Sequence, residues 1–228
     1  MTSDTLDFER FRLAASTATL ADEPAARDHA DLVEFRMDLA EDPLDQLADY
    51  DGDLPLLCTN RPTWEGGEAD DDGRLDALEA ASEHDAVAAI DVEIAAIEDG
   101  AQPTLDYAHE HDAAVVASVH DFEGTPESEQ LARLLARAAA AGDVGKLAVT
   151  AETREETLRL LSITHAMTRE GATVATMAMG EVGAHTRAVA PGYGSKIGYA
   201  PVDPSDATAP GQYDLETLAE LVESLSGE

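Results

Sequence analysis

The chain has 228 residues, 44% hydrophobic but only 4% aromatic, a length that suits one α/β barrel with a core of aliphatic side chains. Its 14 basic against 48 acidic residues give a net charge of −34, which excludes nucleic acid and anionic membranes as partners because their phosphates would be repelled. The acids are spread along the whole chain, which indicates a solvated surface and not an interaction tail, and an acidic surface poor in lysine resembles that of proteins from salt-loving organisms, where high ionic strength screens the self-repulsion.

The N-terminal segment carries acidic residues where a secretory signal peptide would carry basic ones. No apolar run along the chain approaches the length of a membrane span. We therefore expect a cytoplasmic protein with no membrane partner.

Short apolar, β-branched runs alternate with longer Ala- and Leu-rich stretches from one end of the chain to the other. Such runs, bounded by helical stretches, are typical of strands in α/β proteins. The predicted strands are Phe11–Ser16, Leu32–Arg36, Leu54–Thr59, Val87–Val92, Ala113–Val119, Gly145–Val149, Thr173–Met177 and Ile197–Pro201.

Helix start and stop signals lie between several of these runs. Thr125-Pro126 predicts an N-cap and a first helical residue, and Gly142 predicts the end of that helix. The segment 153–156 reads as a capping box for the next helix, which Gly171 ends. Helical spacing predicts an apolar face on this helix, and another on a last helix that starts near residue 214; the residues concerned are Leu158, Leu161, Leu215, Leu218, Val222 and Leu225.

Eight strand–helix units in a row predict parallel strands joined by crossover helices. A doubly wound sheet has the same alternation, but eight units favour a barrel, and no Gly-rich dinucleotide loop follows the first strand. No linker or low-complexity segment divides the chain. We predict an α/β fold, a single (β/α)8 TIM barrel over residues 1–228, with its active site at the C-terminal ends of the strands.

The second predicted strand ends in charged residues. Glu34, Arg36 and Asp38 fall on one face of the strand because side chains alternate with a period of two. Three charges on one face are costly to bury unless they pair with each other or with a ligand. The segment is therefore either a structural ion-pair network or part of a binding site.

The third predicted strand holds Cys58, the only cysteine of the chain. A single cysteine excludes an intrachain disulfide and a thiolate metal cluster. We expect Cys58 to be a small buried hydrophobic residue.

The third predicted strand leads into Arg61 and then Glu65-Gly66-Gly67. The glycine pair permits a tight loop with positive φ that would place Glu65 at the rim of the barrel. By itself this is a weak signal, because many exposed turns have such a sequence.

The fourth and fifth predicted strands also close on polar residues. Asp91 and Glu93 share one face at the end of the fourth strand, and His120 follows the fifth. A lone histidine is more often a hydrogen-bonded structural residue than a catalyst. His120 differs from the other histidines because it ends an apolar strand, where a general base working near neutral pH is expected.

Lys146 lies inside the apolar run 144–149 of a chain with only one other lysine, Lys196. Lysine, unlike arginine, can lose its proton and attack a carbonyl. Desolvation inside a barrel, helped by a nearby cation such as Arg36, would favour the neutral amine. The alternative is a buried lysine paired with Glu34 or Asp38. Lys196, at the start of the eighth strand, is interpreted as a surface or rim residue.

Glycine-rich turns beside an arginine follow the seventh strand, in Met179-Gly180, Gly183 and Arg187. An arginine in such a setting suits a substrate carboxylate. Further along, the segment 208–212 contains a Pro-Gly pair, typical of a turn that could close over the site.

Taken together and in order, these segments resemble type I 3-dehydroquinate dehydratases, although each is common by itself. The resemblance runs from residue 34 to residue 212. It is carried by Glu34-Phe35-Arg36-Met37-Asp38, Arg61 with Glu65-Gly66-Gly67, Asp91 with Glu93, Ser118-Val119-His120-Asp121-Phe122, Thr125-Pro126, Lys146-Leu147-Ala148, Met179-Gly180 with Gly183 and Arg187, Gly194-Ser195, and Ala209-Pro210-Gly211-Gln212.

The resemblance implies an enzyme of aromatic amino-acid biosynthesis that dehydrates 3-dehydroquinate to 3-dehydroshikimate without a metal or organic cofactor, as a homodimer. Lys146 would form an imine with the substrate ketone. His120 would remove the neighbouring proton and assist imine formation and hydrolysis, and Glu65 would hold and tune His120. The substrate-binding residues it implies are Glu34 and Arg36 for hydroxyls, Arg187 for the carboxylate, Gln212 from the closing loop, and Arg61, Thr208 and Ser16. Thr208 stands where the family usually has serine and keeps the hydroxyl.

Two other functions are compatible with the residues. A Schiff-base aldolase on the same barrel would share the lysine without needing the glutamate–histidine pair. A catalytically silent barrel that binds a small hydroxy acid belongs to another class. An ultraviolet assay for a conjugated enone product separates all three.

Overall fold

The computed structural model describes residues 7–203 and 211–226. Eight parallel strands run through it in the order β7-β6-β5-β4-β3-β2-β1-β8. Their bounds are β1 Arg12–Thr17, β2 Leu32–Arg36, β3 Leu56–Thr59, β4 Val87–Glu93, β5 Ala114–Asp121, β6 Val144–Thr150, β7 Val174–Met179 and β8 Ile197–Pro201. All eight strands are confirmed, with ends that differ from the predicted ones by at most two residues.

The sheet curls into a nearly closed barrel whose seam lies between β7 and β8. Hydrogen bonds join the strand ends there: the backbone N–H of Lys196 donates to the carbonyl of Val174 at 2.7 Å, and that of Thr176 donates to the hydroxyl of Ser195 at 3.0 Å. These bonds satisfy backbone and side-chain groups that would otherwise be left at an open edge. The (β/α)8 architecture is therefore confirmed.

Helices connect the strands and cover the outside of the barrel. They are α1 Glu23–Ala26, α2 Pro43–Ala48, α3 Arg74–Ser82, α4 Ile94–Ala96, α5 Gln102–Glu110, α6 Ser128–Ala141, α7 Arg154–Arg169, α8 Thr186–Val189 and α9 Leu215–Ser226. The capping box of α7 is confirmed, with the Thr153 hydroxyl accepting from the backbone of Glu156 and the Glu156 side chain accepting from the backbone of Thr153. Gly142 caps the end of α6 as predicted.

Three residues do not take the positions that the helix patterns predicted. Thr125 does not cap α6, whose N-cap is Glu127, because its hydroxyl donates to the carbonyl of Thr150 and so ties the β5–α6 loop to the end of β6. Leu158 is 60% exposed although Leu161 is buried, and Leu225 at the end of α9 is exposed as well. The barrel-facing stripe of α7 runs through residues 157, 160, 161 and 164 instead, so Leu158 lies beside the stripe and not on it.

The core has two layers because side chains on each strand alternate between the barrel interior and the helices. Leu32, Leu57 and Val116 belong to an interior cluster, while their neighbours Val33, Cys58 and Val115 pack against helices. Cys58 is fully buried as predicted, and burial raises the pKa of its thiol to about 12. The same alternation decides which polar residues face the interior at the strand ends.

The acidic surface leads to a prediction about stability. With a net charge of −34, the folded state carries a large self-repulsion that salt screens, since the Debye length falls from ~10 Å at 0.1 M to ~3 Å at 1 M. We expect the melting temperature to rise steadily across a potassium chloride series from 0.1 to 3 M (calorimetry or circular dichroism). Chloride is chosen because it promotes burial of apolar surface less than sulfate does. A melting temperature that stays flat or falls would contradict this prediction.

Within the described ranges no helix is long and apolar enough to cross a membrane.

Candidate active site

A cavity opens at the C-terminal ends of the strands, inside the barrel mouth. Residues from six strands or the loops after them line it, because each lies on the interior-facing period of its strand or on a loop that folds over the mouth. The polar and charged lining residues are Glu34, Arg36, Thr59, Arg61, Glu65, His120, Lys146, Arg187, Tyr199 and Gln212, and the apolar ones include Phe122, Ala148, Met177 and Met179. All three predicted catalytic residues and five of the predicted substrate-binding residues thus face one cavity.

Lys146 stands on the interior face of β6 between Val144 and Ala148, which both belong to the interior cluster. Its Nζ is buried, donates to Asp91 Oδ2 at 2.9 Å, lies 3.8 Å from Glu34 Oε1, and sits 4.3 Å from the ring centroid of Tyr199. We expected a cation such as Arg36 beside Lys146 to favour its neutral amine. The charged groups in contact with Nζ are instead the carboxylates of Asp91 and Glu34. Of the two alternative partners, Glu34 is near and Asp38 pairs with Arg36 instead.

Asp91 connects this lysine to a buried ion network. Its Oδ1 accepts from Arg61 Nη2 at 2.8 Å and from the Ser118 hydroxyl at 2.6 Å. Burial would raise the pKa of the Asp91 carboxyl, but Arg61 and Lys146 hold it well below its usual range. Arg61 also contacts Glu93 at 2.5 Å, and Arg74 holds the other oxygen of Glu93 at 2.8 Å. Asp91 is consequently a fixed anion and a poor proton acceptor.

His120 ends β5, and Glu65 reaches it from the loop after β3. Glu65 Oε1 accepts from the backbone N–H of His120 at 2.8 Å and lies 3.4 Å from its Nδ1. The ring stacks on Phe122 with a centroid separation of 5.8 Å. Burial, followed by the charges of Arg61 and Lys146, lowers the pKa of His120 well below its usual range. The imidazole is therefore neutral at physiological pH and can accept a proton.

The loop that carries Glu65 depends on its two glycines. Gly66 has φ +81°, a left-handed conformation, and a side chain there would also meet the ring of Phe122. A Cβ on Gly67 would lie 2.1 Å from the carbonyl oxygen of Arg61. The tight loop predicted from Gly66-Gly67 is thus present, with positive φ at the first glycine and close backbone approach at the second.

Glu34 is held by hydroxyls from both neighbouring strands. The Ser16 hydroxyl donates to its Oε2 at 2.5 Å, and the Thr59 hydroxyl donates to its Oε1 at 3.1 Å. Arg36 forms a two-pronged pair with Asp38 at 2.8 and 2.7 Å. The sequence allowed either an ion-pair network or part of a binding site at the end of the second strand. The structure contains both, because Arg36 pairs with Asp38 while Glu34 and Arg36 line the cavity.

Arg187 reaches the cavity from α8, which follows the turn at Gly180–Gly183. Its side chain is buried, and burial lowers the pKa of the guanidinium to about 10, so it stays charged at neutral pH. Its Nε has no hydrogen-bond partner among residues 7–203 and 211–226. An unpaired, buried guanidinium N–H is free to bind an anion that enters the cavity.

The remaining predictions divide as follows. Ser16 supports Glu34, Gln212 lines the cavity, and Thr208 lies outside the described residues. Lys196 lies before β8, at the opposite end of the barrel, where its amine donates to the carbonyl of Glu9. It is thus remote from the cavity and no rival to Lys146.

Several polar residues of the site have no role that the sequence predicts, among them Thr59, Asp91, Ser118 and Tyr199. Asp91 had a usable signal, an acid on the interior face of a strand end. Tyr199 had a weaker one, since a single tyrosine inside an apolar strand reads as packing. No group of three or more His, Cys, Asp or Glu side chains in the described part of the chain is arranged to hold a metal ion.

Comparison with known proteins gives one consistent result. A family model described as type I 3-dehydroquinase matches residues 14–228. A 3-dehydroquinate dehydratase of Haloarcula marismortui is 58% identical over 228 residues, 98% of this chain and 100% of that protein. One of Halobacterium salinarum is 53% identical over 226 residues, 96% of this chain and 100% of that protein. Both organisms are halophilic archaea, in agreement with the acidic surface.

Solved structures agree with the sequence relatives. The crystal structure of a 3-dehydroquinate dehydratase from Geobacillus kaustophilus superposes with a TM-score of 0.86 at 28% identity, covering 96% of this chain and 92% of that one. A type I enzyme from Clostridium difficile, solved with covalently modified comenic acid, gives 0.82 at 26% identity over 96% and 93% of the two chains. The sequence match, the shared barrel and the lysine–histidine cavity lead to one conclusion: the chain belongs to the type I 3-dehydroquinase family.

Proposed function

We propose that this cavity dehydrates 3-dehydroquinate to 3-dehydroshikimate through an imine on Lys146, with His120 as the proton-transfer group. The observation that carries the proposal is the placement of a buried lysine and a neutral histidine on one cavity, together with an arginine N–H that has no partner among the described residues. Dehydration of this substrate is the activity of the family to which the chain belongs. The roles of the individual residues are the proposal.

The reaction begins with the Lys146 amine. Lys146 must give up a proton before its nitrogen can attack the ketone carbon. Asp91, whose pKa is held low, is a poor proton acceptor, so we assign this proton to the neutral imidazole of His120. The C–N bond forms, the carbonyl oxygen leaves as water, and the protonated imine withdraws electrons from the neighbouring carbon.

His120 then works twice as a proton carrier. As a base it removes the acidified proton from the carbon next to the imine, and as an acid it returns a proton to the β-hydroxyl, which leaves as water. Hydrolysis of the conjugated imine frees the enone and regenerates Lys146. Glu65 holds the backbone N–H and Nδ1 side of His120, which leaves the other ring nitrogen for the substrate.

Substrate binding is assigned to the polar walls. Glu34 and Arg36 contact hydroxyls, and Arg187 binds the carboxylate with its unpaired N–H. Arg61 is engaged by Asp91, Glu93 and Ser118, so it acts mainly through the positive field that it adds to the cavity. Thr208 and Gln212 belong to the segment proposed to close over the substrate. Like the absence of a cofactor, these assignments remain predictions.

A direct assay tests the function. Purified protein mixed with 3-dehydroquinate in 2 M potassium chloride should produce the ultraviolet absorbance of a conjugated enone, and mass spectrometry should find a product lighter by one water. An aldolase would instead release two fragments, and a silent binding protein would release nothing. Absence of the enone, with the protein shown to be folded by circular dichroism, would refute the proposal.

Two further properties follow from family membership. We propose a homodimer and a cytoplasmic location. Light scattering coupled to size exclusion in high salt measures the mass against the 24.1 kDa of one chain. Fractionation of the source cells tests the compartment.

A further inference from the structure

Two buried side-chain polar atoms in the described residues have no hydrogen-bond partner: Arg187 Nε and the Tyr199 hydroxyl oxygen. Both side chains line the active-site cavity. Leaving a buried hydroxyl without a partner costs free energy, and such groups in native proteins call for an explanation. Arg187 has one in the proposed function, as the group that binds a carboxylate, but Tyr199 has none.

The ring of Tyr199 is explained by packing. It lies on the interior face of β8, in the same cluster as Ile197, and its centroid is 4.3 Å from Lys146 Nζ. A phenylalanine would fill this volume and offer the same aromatic face to the ammonium. The hydroxyl is therefore the part of the residue for which the described residues offer no partner.

The chemistry of the hydroxyl restricts what it can bind. Burial, together with the carboxylates of Glu34 and Asp91, raises the pKa of Tyr199 well above its usual range, so the group keeps its proton and remains a donor. Arg187 is likewise a donor whose Nε has no acceptor in the part of the chain that the structure describes. Two unpaired donors on one cavity match a ligand group that only accepts hydrogen bonds, which is what a carboxylate is.

We propose that Tyr199 is a substrate-binding residue whose hydroxyl donates a hydrogen bond to the same substrate carboxylate that Arg187 binds. This inference rests on the proposed function for the identity of the substrate. Its consequence is orientation: the ring contacts Lys146 while the hydroxyl holds the acid end of the ligand, so one side chain helps to set the ketone carbon against Nζ.

The Tyr199→Phe variant tests this with two readouts of opposite sign. Without ligand, removal of a buried hydroxyl that has no partner should leave the melting temperature unchanged or raise it by about 2–4 °C. With substrate, loss of one hydrogen bond to a charged group should raise KM about 10- to 100-fold, with a smaller change in kcat. Tyr193→Phe, a change at an exposed tyrosine, is the matched control and should alter neither.

Comparison of two ligands, one with a free carboxylate and one without, identifies the ligand group that Tyr199 contacts. This binding measurement does not depend on turnover. Quinate, which lacks the ketone, and its methyl ester are titrated in thermal-shift experiments. The wild type should prefer quinate to the ester by a larger factor than Tyr199→Phe does, because only the free carboxylate uses the hydroxyl fully. An equal preference in both proteins, or an unchanged KM in an active Tyr199→Phe enzyme, overturns the inference. An inactive wild type that still shows the difference with quinate overturns the proposed reaction alone.

Discussion

Borohydride added to the protein together with 3-dehydroquinate is expected to leave one covalent adduct, on Lys146. Borohydride reduces an imine to a stable amine, so the lysine that reacts keeps the carbon skeleton of the ligand. Nζ of Lys146 faces the cavity, whereas Lys196 donates to the carbonyl of Glu9 at the other end of the barrel. Peptide mapping is unambiguous because the chain has only these two lysines.

Variants of the two lysines complete the test. Lys146→Met should abolish the adduct and lower kcat by about 10⁴-fold or more, on the order found when a covalent nucleophile is removed. Lys146→Arg should also be inactive because a guanidinium stays protonated and cannot attack the ketone. Lys196→Met, the matched control, should keep both adduct and activity. An adduct on Lys196, or full activity with no lysine trapped, would contradict the imine mechanism.

Loss of the Lys146 charge also bears on stability. Asp91 would lose one of its partners but keep Arg61 and Ser118 at 2.8 and 2.6 Å. A buried carboxylate that retains an arginine is not left uncompensated, so we expect Lys146→Met to fold. Circular dichroism checks this, and the Lys146→Arg variant, which keeps a positive charge beside Asp91, separates loss of chemistry from loss of fold.

The second large effect is expected at His120. If it carries the proton in imine formation, dehydration and hydrolysis, His120→Ala should lower kcat by about 10²- to 10⁴-fold. The fold should survive, since the residue lies at a strand end and its backbone N–H can still donate to Glu65. Phe122→Leu removes the stacked ring but not the imidazole and should cost far less. Turnover at the wild-type level in His120→Ala would show that His120 has a structural role and no catalytic one.

The pH dependence tests the same assignment. Burial and the charges of Arg61 and Lys146 depress the pKa of His120 in the folded protein, so the neutral, active form persists below the ordinary value of 6.5. The acid limb of kcat/KM should therefore lie below pH 6.5. The free energy of unfolding also decreases towards acid pH. The contribution of the neutral imidazole is complete above pH 6.5 and is lost as the pH falls from 6.5 to the depressed pKa of His120. An acid limb above 6.5 would mean that another group controls turnover.

The strands and their interior faces could be predicted from the sequence because both depend on local order. Apolar runs of the observed length recur eight times, and the period of two places Glu34, Lys146 and His120 inward on their strands. The predictions that failed were based on local sequence patterns as well. Thr125 and Leu158 matched helix patterns, but a long-range hydrogen bond to Thr150 and the direction of the α7 stripe decided otherwise.

Only the tertiary structure determines which of the inward-facing side chains contact one another inside the barrel. Asp91 and Lys146 are 55 residues apart in sequence, and Tyr199 is 53 residues beyond Lys146, so no spacing rule relates them. Closure of the barrel brings the three side chains into contact, which is why the lysine pairs with Asp91 and not with Asp38. Sequence order determines which residues point inward, whereas the curvature and register of the closed sheet determine which inward residues meet, because contacts across a barrel depend on all eight strands at once.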